Sequence, residues 1–297
     1  MTLKGIGIIE IPGSAGSTFD HGAFDPRSRR VFVAHTGRDS VEVIDHDAGT
    51  HIATLCGFAE AAGVVADDGN VLVTNRGAAS LTWLDAHSLE TQAVFETGVR
   101  PNGVAIVPQQ GLAIVACIGD EHSGARLEVL SPDGHRHRVD LPGRPRWCVT
   151  DAAARRVFLA IRDPSMVFVA DLPELTNARQ WRLPSDGAHG VDIDHQRGYL
   201  YVACDDSTLV EVDINSGVAN NAWSIAGAPD ATFFNPVTGL VHVAIGEPGL
   251  VQTFDPRSGS STQTVTGAGA HTTALAAPDR LYVFSPRHRG ALVFLDA

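Results

Sequence analysis

The sequence lacks an excess of basic residues and has no long apolar run. Its 297 residues include 34 Asp and Glu against 22 Lys and Arg, which gives a net charge of −12. A chain of this charge repels a phosphate backbone, so a nucleic-acid partner is not expected. No segment reaches the roughly 20 apolar residues of a membrane helix. The apolar stretch near the N-terminus, Ile6–Ile11, is short and does not resemble a signal peptide, so we expect a cytoplasmic protein without a membrane partner.

Cysteines, aromatic residues and common catalytic motifs are also scarce. The four cysteines show no Cys-x-x-Cys spacing, and we expect free, mostly buried thiols. With four Trp and three Tyr, the chain has too few aromatic side chains for a quinone cofactor, so a redox quinoprotein ranks last among the hypotheses. The sequence contains no Gly-x-Ser-x-Gly elbow and no Walker loop, which argues against serine-nucleophile and nucleotide chemistry.

A repeat of about 40 residues runs through the chain. The segment His21–His35 recurs as Gly190–Cys204 and Ala231–Ile245, each with an apolar strand, a tight turn and a strand rich in Val and Ala. Seven equivalent positions are separated by 41, 40, 44, 43, 41 and 41 residues. This period, with four strands per unit, predicts an all-β, seven-bladed β-propeller with four-stranded antiparallel blades. The equivalent positions are His21, Ala62, Asn102, Arg146, His189, Asp230 and His271.

The last unit ends after its third strand, at Asp296. In our interpretation, residues 4–11 supply its outermost strand, which pairs the two ends of the chain and covers sheet edges that would otherwise invite aggregation. We therefore predict one domain over residues 1–297, with the seventh blade closed by the N-terminal strand. The third strand of most units ends in Asp, whose side chain is expected to cap the following turn.

Two family resemblances accompany this pattern. Residues 31–45 and 71–85, with their Val-Phe-Val-Ala-His and Val-Leu-Val-Thr-Asn strands, resemble the YVTN repeat of the YncE-like seven-bladed propellers. That superfamily includes lactonases, lyases, quinoprotein relatives and binding proteins. Residues 188–190 and 270–272 are more distantly similar to virginiamycin-B-lyase-like propellers, where such histidines and a divalent metal open a cyclic ester by elimination. Asp230 replaces a histidine expected in that family, which points to a different substrate.

The seven equivalent positions are predicted to ring one mouth of the central channel, because the first strand of each blade lines the axis. Blades five, six, seven and one are neighbours and contribute His189, Asp230, His271 and His21. Imidazoles with one carboxylate suit Zn²⁺, Mn²⁺, Fe²⁺ or Ni²⁺ better than Ca²⁺. We therefore predict a divalent-metal site that polarises a carbonyl or activates a water. The alternative is that these groups hydrogen-bond to the backbone or to channel water.

Further functional residues are predicted around this arc. A guanidinium fits a carboxylate or phosphate, so we expect an anionic small-molecule substrate. The predicted substrate-binding residues are Asn102, Arg146, Arg76, Arg162 and His35. The predicted catalytic bases are Glu60, Asp205 and Glu247. Residues 120–122, in the longest unit, are a candidate lid.

Two functional hypotheses follow from these residues. The first is a metal-dependent enzyme acting on a small oxygenated substrate, either a lactone or ester hydrolase or an elimination lyase. The second is a non-catalytic, YncE-like propeller that recognises a ligand or a protein with the same mouth or with its blade edges. The convergence of polar groups in one concavity favours the first.

Overall fold

The strands of the chain form seven four-stranded antiparallel sheets, which confirms the predicted seven-bladed propeller. A computed structural model describes residues 3–107, 110–151 and 155–296. Blade 1 consists of β2 (Gly22–Asp25), β3 (Arg30–His35), β4 (Ser40–Asp45) and β5 (Thr50–Cys56), and blade 2 of β6 (Ala61–Asp67), β7 (Asn70–Asn75), β8 (Ser80–Asp85) and β9 (Thr91–Glu96). Blade 3 consists of β10 (Pro101–Val107), β11 (Leu112–Cys117), β12 (Arg126–Leu130) and β13 (Arg136–Asp140).

The remaining blades repeat this order from the channel outwards. Blade 4 consists of β14 (Pro145–Asp151), β15 (Arg156–Ile161), β16 (Met166–Asp171) and β17 (Thr176–Arg182), and blade 5 of β18 (Ala188–Asp194), β19 (Tyr199–Cys204), β20 (Thr208–Asp213) and β21 (Ala219–Ser224). Blade 6 consists of β22 (Pro229–Asn235), β23 (Leu240–Ile245), β24 (Leu250–Asp255) and β25 (Ser260–Val265). Blade 7 consists of β26 (Thr272–Ala276), β27 (Arg280–Ser285), β28 (Gly290–Leu295) and the N-terminal β1 (Lys4–Glu10). None of the described segments is a helix of the length and apolar character needed to cross a membrane.

Burial follows the position of each strand within its blade. Second and third strands such as β11 and β16 are buried along almost their whole length, because a neighbouring blade covers each face of the sheet. Fourth strands such as β5 alternate between exposed and half-buried residues, since they form the outer edge. The hydrophobic core therefore lies between the blades.

The N-terminal strand closes the ring. It pairs antiparallel with β28, and Ile9 stands opposite Ala291. Ile9 and Ile11 are buried in the cluster that joins blades seven and one, where Val33 and Phe284 also pack. This arrangement confirms the predicted closure of the seventh blade.

Close approach of the innermost strands requires glycine directly after several of the equivalent positions. A Cβ on Gly63 would lie 2.2 Å from the carbonyl oxygen of Asn102. A Cβ on Gly103 would lie 2.1 Å from the carbonyl oxygen of Arg146. No side chain fits at these distances, so glycine allows neighbouring inner strands to approach and sets a narrow channel.

The predicted turn caps and free thiols are confirmed. The carboxylates of Asp45, Asp85, Asp213 and Asp255 each accept a backbone N–H from the following turn, at 2.7–2.9 Å. Asp296 differs, because its carboxylate is buried and accepts a hydrogen bond from His242 Nε2 at 2.8 Å. All four cysteines are free, and three of them are buried, the exception being Cys56.

Candidate functional site

Five of the seven equivalent positions lie at irregularities in the pairing of their strands. In β10 the register shifts between Pro101 and Val104, and in β18 it shifts between Ala188 and Gly190. Such bulges re-aim side chains and are frequent next to active sites. The residues placed at these shifts are Ala62, Asn102, Arg146, His189 and Asp230. The bulges, together with the ends of the inner strands in blades seven and one, define what we call the upper mouth of the channel.

Three of the four predicted metal-arc residues form one hydrogen-bonded chain across blades five, six and seven. Asp230 lies between two histidines, with His271 Nδ1 at 2.6 Å from one carboxylate oxygen and His189 Nε2 at 3.4 Å from the other. His189 Nδ1 is 2.8 Å from Asp205, and Arg162 Nε is 2.5 Å from the second oxygen of that carboxylate. The ring of His189 therefore lies between two carboxylates.

The charges of the hydrogen-bonded residues His189, Asp230 and His271 stabilise one another. Burial alone would raise the pKa of Asp230, but hydrogen bonds from His189 and His271 outweigh it and hold that pKa well below the ordinary value of 3.8. Burial would lower the pKa of both histidines, but the neighbouring carboxylates raise it above the ordinary value of 6.5. The arrangement thus favours the charged form of Asp230 between the protonated rings of His189 and His271.

These opposed shifts predict a pH-dependent stability. The raised histidine pKa values stabilise the fold below pH 6.5, and this contribution is lost as the pH rises through the raised values. The lowered pKa of Asp230 stabilises the fold above pH 3.8 and is lost as the pH falls through the lowered value. Asp230→Asn should therefore lower the melting temperature more at about pH 5.5 than at about pH 9, by scanning calorimetry.

The matched control for this measurement is Asp133→Asn, which removes an exposed carboxylate from a hairpin turn on the outer part of blade three. It should show no such difference between the two pH values. Equal losses of melting temperature at both pH values for Asp230→Asn would contradict the charged form of the chain.

The fourth residue of the arc, His21, belongs to a separate pair. Its Nδ1 lies 2.5 Å from Asp20, and its ring stacks on Trp147 with centroids 3.8 Å apart and planes within 4°. Arg76 forms an ion pair with the other oxygen of Asp20 and donates a hydrogen bond from Nε to Asn102 at 3.0 Å. Burial would raise the pKa of Asp20, but His21 and Arg76 hold it below its ordinary value. The pair leaves His21 Nε2 without a hydrogen bond to any described residue.

Arginines from blades two, three and four complete the mouth. Arg146 is half-buried, and its buried Nε has no hydrogen-bond partner among the described residues. Burial lowers its pKa, and the nearby Arg144 and Arg162 lower it further. The pKa of Arg144 is lowered by burial and then by Arg162, Arg100 and Arg76. Neighbouring arginines thus repel the guanidinium groups of Arg144 and Arg146, an effect that Asp230 and Asp205 partly offset at Arg146. This local positive charge occurs in a chain whose net charge is −12.

The histidine and aspartate side chains at the mouth are not gathered around one point in this arrangement. Within residues 3–107, 110–151 and 155–296, no three His, Cys, Asp or Glu side chains are placed to hold one ion together. Both nitrogens of His189 face carboxylates, and His271 and His21 each use Nδ1 on a different aspartate. An ion would have to displace a carboxylate from His189, whereas Nε2 of His21 and of His271 has no hydrogen bond to a described residue. The predicted metal site stays a prediction.

Of the other predicted site residues, one lies away from the channel and three lie at or near the mouth. His35 is fully buried, with Nδ1 2.7 Å from Glu42 and Nε2 2.8 Å from Ser17, so it lies away from the channel and anchors the N-terminal segment. Glu60 and Glu247 are exposed on loops near the mouth. Asp205 bridges His189 and Arg162, as described above. The catalytic roles of these three acidic residues, Glu60, Glu247 and Asp205, stay predictions.

Three residues of the mouth were not among the predicted site residues. Asp20 immediately precedes His21, and a carboxylate next to a candidate histidine was a usable signal. Arg144 stands two positions before Arg146 and could have been found in the same way. Trp147 occupies an apolar strand pattern, so nothing in the sequence separated it from ordinary core residues.

Comparisons with known proteins identify the architecture. No family model and no curated protein matches the chain. Hydrazine synthase from Kuenenia stuttgartiensis superimposes with a TM-score of 0.81 at 14% identity, covering 97% of this chain and 99% of that one. A streptogramin B lyase has a TM-score of 0.79 at 11% identity over 99% and 96% of the two chains. Virginiamycin B lyase from Staphylococcus aureus has a TM-score of 0.79 at 11% identity over 100% and 99%.

These similarities show the fold and extend over nearly the full chain. They confirm that the seven-bladed propeller has virginiamycin-B-lyase-like structural neighbours, as the distant resemblance implied. The closer resemblance to the YVTN repeat stays a prediction, since no family model supports it.

Proposed function

We propose that the chain is a lyase-like enzyme that binds a small carboxylated molecule at the upper mouth and transfers protons with His21 and His271. The observation that carries the proposal is the half-buried Arg146 in blade four, whose buried Nε lacks a partner among the described residues and which lies across the ring of blades from His21 and His271. An anion held there would neutralise mutually repelling guanidinium groups. The same anion would then lie beside groups that can give and take protons.

The arginine side supports recognition of a carboxylate. A guanidinium donates two parallel hydrogen bonds to a carboxylate, and burial strengthens this interaction. The carboxylates already at the mouth are engaged, because Asp20 pairs with Arg76 and Asp205 pairs with Arg162. Arg146 and Arg144 have no ion pair within the described part of the chain. They are therefore the cations that a substrate anion would meet.

The histidine side supports acid–base chemistry. Asp20 fixes the ring of His21 through Nδ1 and leaves Nε2 to accept a proton, as a carboxylate does in a histidine general base. The neighbouring Asp230 raises the pKa of His271, which keeps that ring protonated and suited to donate. A proton acceptor and a proton donor thus occupy adjacent blades.

Elimination from a 3-acyloxy carboxylate matches this pair of groups. His21 would take the proton from C2, the carbon next to the carboxylate. The bond between C3 and the acyloxy oxygen would break, a C2–C3 double bond would form, and His271 would protonate the departing carboxylate. The products are an unsaturated carboxylate and a free acid, so no oxidant or reductant is needed. The two lyases among the structural neighbours support this class of reaction over the hydrolysis of a lactone.

The assay uses 3-acetoxybutyrate as the probe, followed by proton NMR. Elimination releases crotonate and acetate, whereas ester hydrolysis releases 3-hydroxybutyrate and acetate. Crotonate formed faster than in buffer would support the proposal. Release of 3-hydroxybutyrate alone would favour the hydrolase hypothesis, and binding of carboxylates without turnover would favour a non-catalytic propeller.

Binding of the anion gives a prediction that does not depend on turnover. Malate should raise the melting temperature of the protein, whereas its neutral diamide should not. Arg146→Gln should weaken malate binding roughly ten- to hundredfold, because a hydrogen bond to a charged group contributes about 1.5–3 kcal/mol. Calorimetric titration measures the loss.

The matched control is Arg138→Gln, which removes an exposed arginine on β13 and should bind malate as the native protein does. Equal affinities of the two variants for malate would contradict the role of Arg146.

A further inference from the structure

A second cavity lies deeper in the channel than the upper mouth, and we call it the lower cavity. Its volume is about 310 Å³, and residues from all seven inner strands line it. This size is at the lower end of pockets that hold small organic ligands. Trp147 contributes to its wall and also stacks on His21, so the indole stands between the upper mouth and the lower cavity.

The wall of the lower cavity is mostly apolar, and at its central level it carries one carboxylate. Asp192 occupies the position three residues after His189, where the other blades carry apolar side chains. Its two oxygens accept the backbone N–H groups of Ile193 at 2.8 Å and Phe234 at 2.7 Å, which fixes the carboxylate. The apolar residues at or next to this level are Phe24, Val65, Ile106, Val149, Phe233 and Leu275.

The charge in the lower cavity is not compensated by the protein. Neither Asp192 nor Asp67, the second carboxylate lining the cavity, forms an ion pair with a described residue. Burial raises the pKa of Asp192 to about 6, and burial followed by the neighbouring Asp25 and Asp68 raises that of Asp67. His195 is the one basic lining residue in the described ranges, and it is exposed. The lower cavity is therefore acidic, whereas the upper mouth is rich in arginine.

We propose that the lower cavity binds a small organic ammonium ion with an apolar body. The carboxylate of Asp192 accepts two backbone hydrogen bonds and keeps lone pairs for an ammonium N–H. The rings of Phe24 and Phe233 provide apolar contact and faces that attract a cation. Apolar walls disfavour a hydrated metal ion or a sugar, and uncompensated carboxylates repel an anion. This site is independent of the proposed reaction at the upper mouth.

The test compares three probes of similar shape against the native protein by calorimetric titration at neutral pH. They are 2-phenylethylammonium, its neutral counterpart 2-phenylethanol, and the anion 3-phenylpropionate, studied with saturating malate so that the upper mouth is occupied. We expect one site for the ammonium ion, binding at least roughly tenfold weaker for the alcohol, and no binding of the anion. Equal affinity for the alcohol and the ammonium ion, or no binding of the ammonium ion, would overturn the proposal.

Variants locate the site. Asp192→Asn keeps the size of the side chain and should weaken binding of 2-phenylethylammonium roughly ten- to hundredfold. Asp67→Asn should have a smaller effect, because Asp67 is a second carboxylate and lies nearer the end of its inner strand. Arg146→Gln should leave this binding unchanged while it weakens malate binding, which separates a failure here from a failure at the upper mouth. Undiminished binding to a folded Asp192→Asn protein would overturn the proposal, and the three-probe comparison decides the matter if this variant does not fold.

Discussion

Replacing Ile9 and Ile11 together by alanine is expected to remove most of the free energy of unfolding of the propeller. Both side chains are buried, at 7% and 3% exposure, in the cluster that joins the first and last blades. Each truncation of a buried isoleucine costs about 2–5 kcal/mol, so the pair should lose roughly 4–10 kcal/mol. A domain of this kind has a total stability of about 5–15 kcal/mol. Urea unfolding monitored by circular dichroism measures the loss.

The matched control is Ile6→Ala with Ile8→Ala on the same strand. These side chains are 46% and 53% exposed, and each substitution should cost well under 1 kcal/mol, or about the ordinary effect of a surface change. The two double variants remove the same atoms from the same neighbourhood and differ only in burial. Equal losses of stability would show that β1 does not hold the ring closed through its buried face.

The fold could be predicted because the same pattern of strands and turns occurs in each unit of the repeat. Asp45 and Asp213, for example, each end a third strand and cap the next turn, so the period and the strand boundaries were visible in several copies at once. The closing strand could be inferred because the seventh unit lacks a fourth strand. Propeller architecture then dictates which residues reach the channel, which is why the seven equivalent positions were found.

The geometry of the site could not be predicted in the same way, because it depends on features that are not repeated. His35 is covered by Ser17 and Phe19, which precede the first blade and have no counterpart in the other units. The sequence predicts histidines that share one ion, but it does not show that Asp20 and Asp230 lie within hydrogen-bond distance of His21 and His271. The bulges that aim these side chains arise from backbone pairing and have no residue signature of their own.

Trp147 shows how one unrepeated side chain changes the interpretation of the channel. It follows Arg146, at the position where Gly63 and Gly103 admit a neighbouring strand in other blades. A tryptophan there fills the channel below His21 and presents its face to that ring. The channel is therefore divided into an upper mouth and a lower cavity, and each has its own charge.

His21→Ala is expected to lower the rate of crotonate release from 3-acetoxybutyrate by about 10²–10⁴-fold, the usual contribution of a general base. The ring lies flat on Trp147, so its removal leaves a slot bounded by the indole and Asp20. Added imidazole should fit this slot and restore part of the rate. Restoration should require the neutral form of imidazole and so increase as the pH rises through its pKa.

Two controls separate proton transfer from a loss of structure. His135→Ala removes an exposed histidine beyond a hairpin turn and should leave the rate unchanged. Asp20→Asn keeps His21 but removes the carboxylate on Nδ1, so it should lower the rate at saturating substrate, because the orientation and tautomer of the His21 ring depend on that contact. Undiminished elimination by His21→Ala would contradict the assignment. His21 would then serve neither as the base nor as the acid, and Glu60, Asp205 and Glu247 would be the remaining predicted bases.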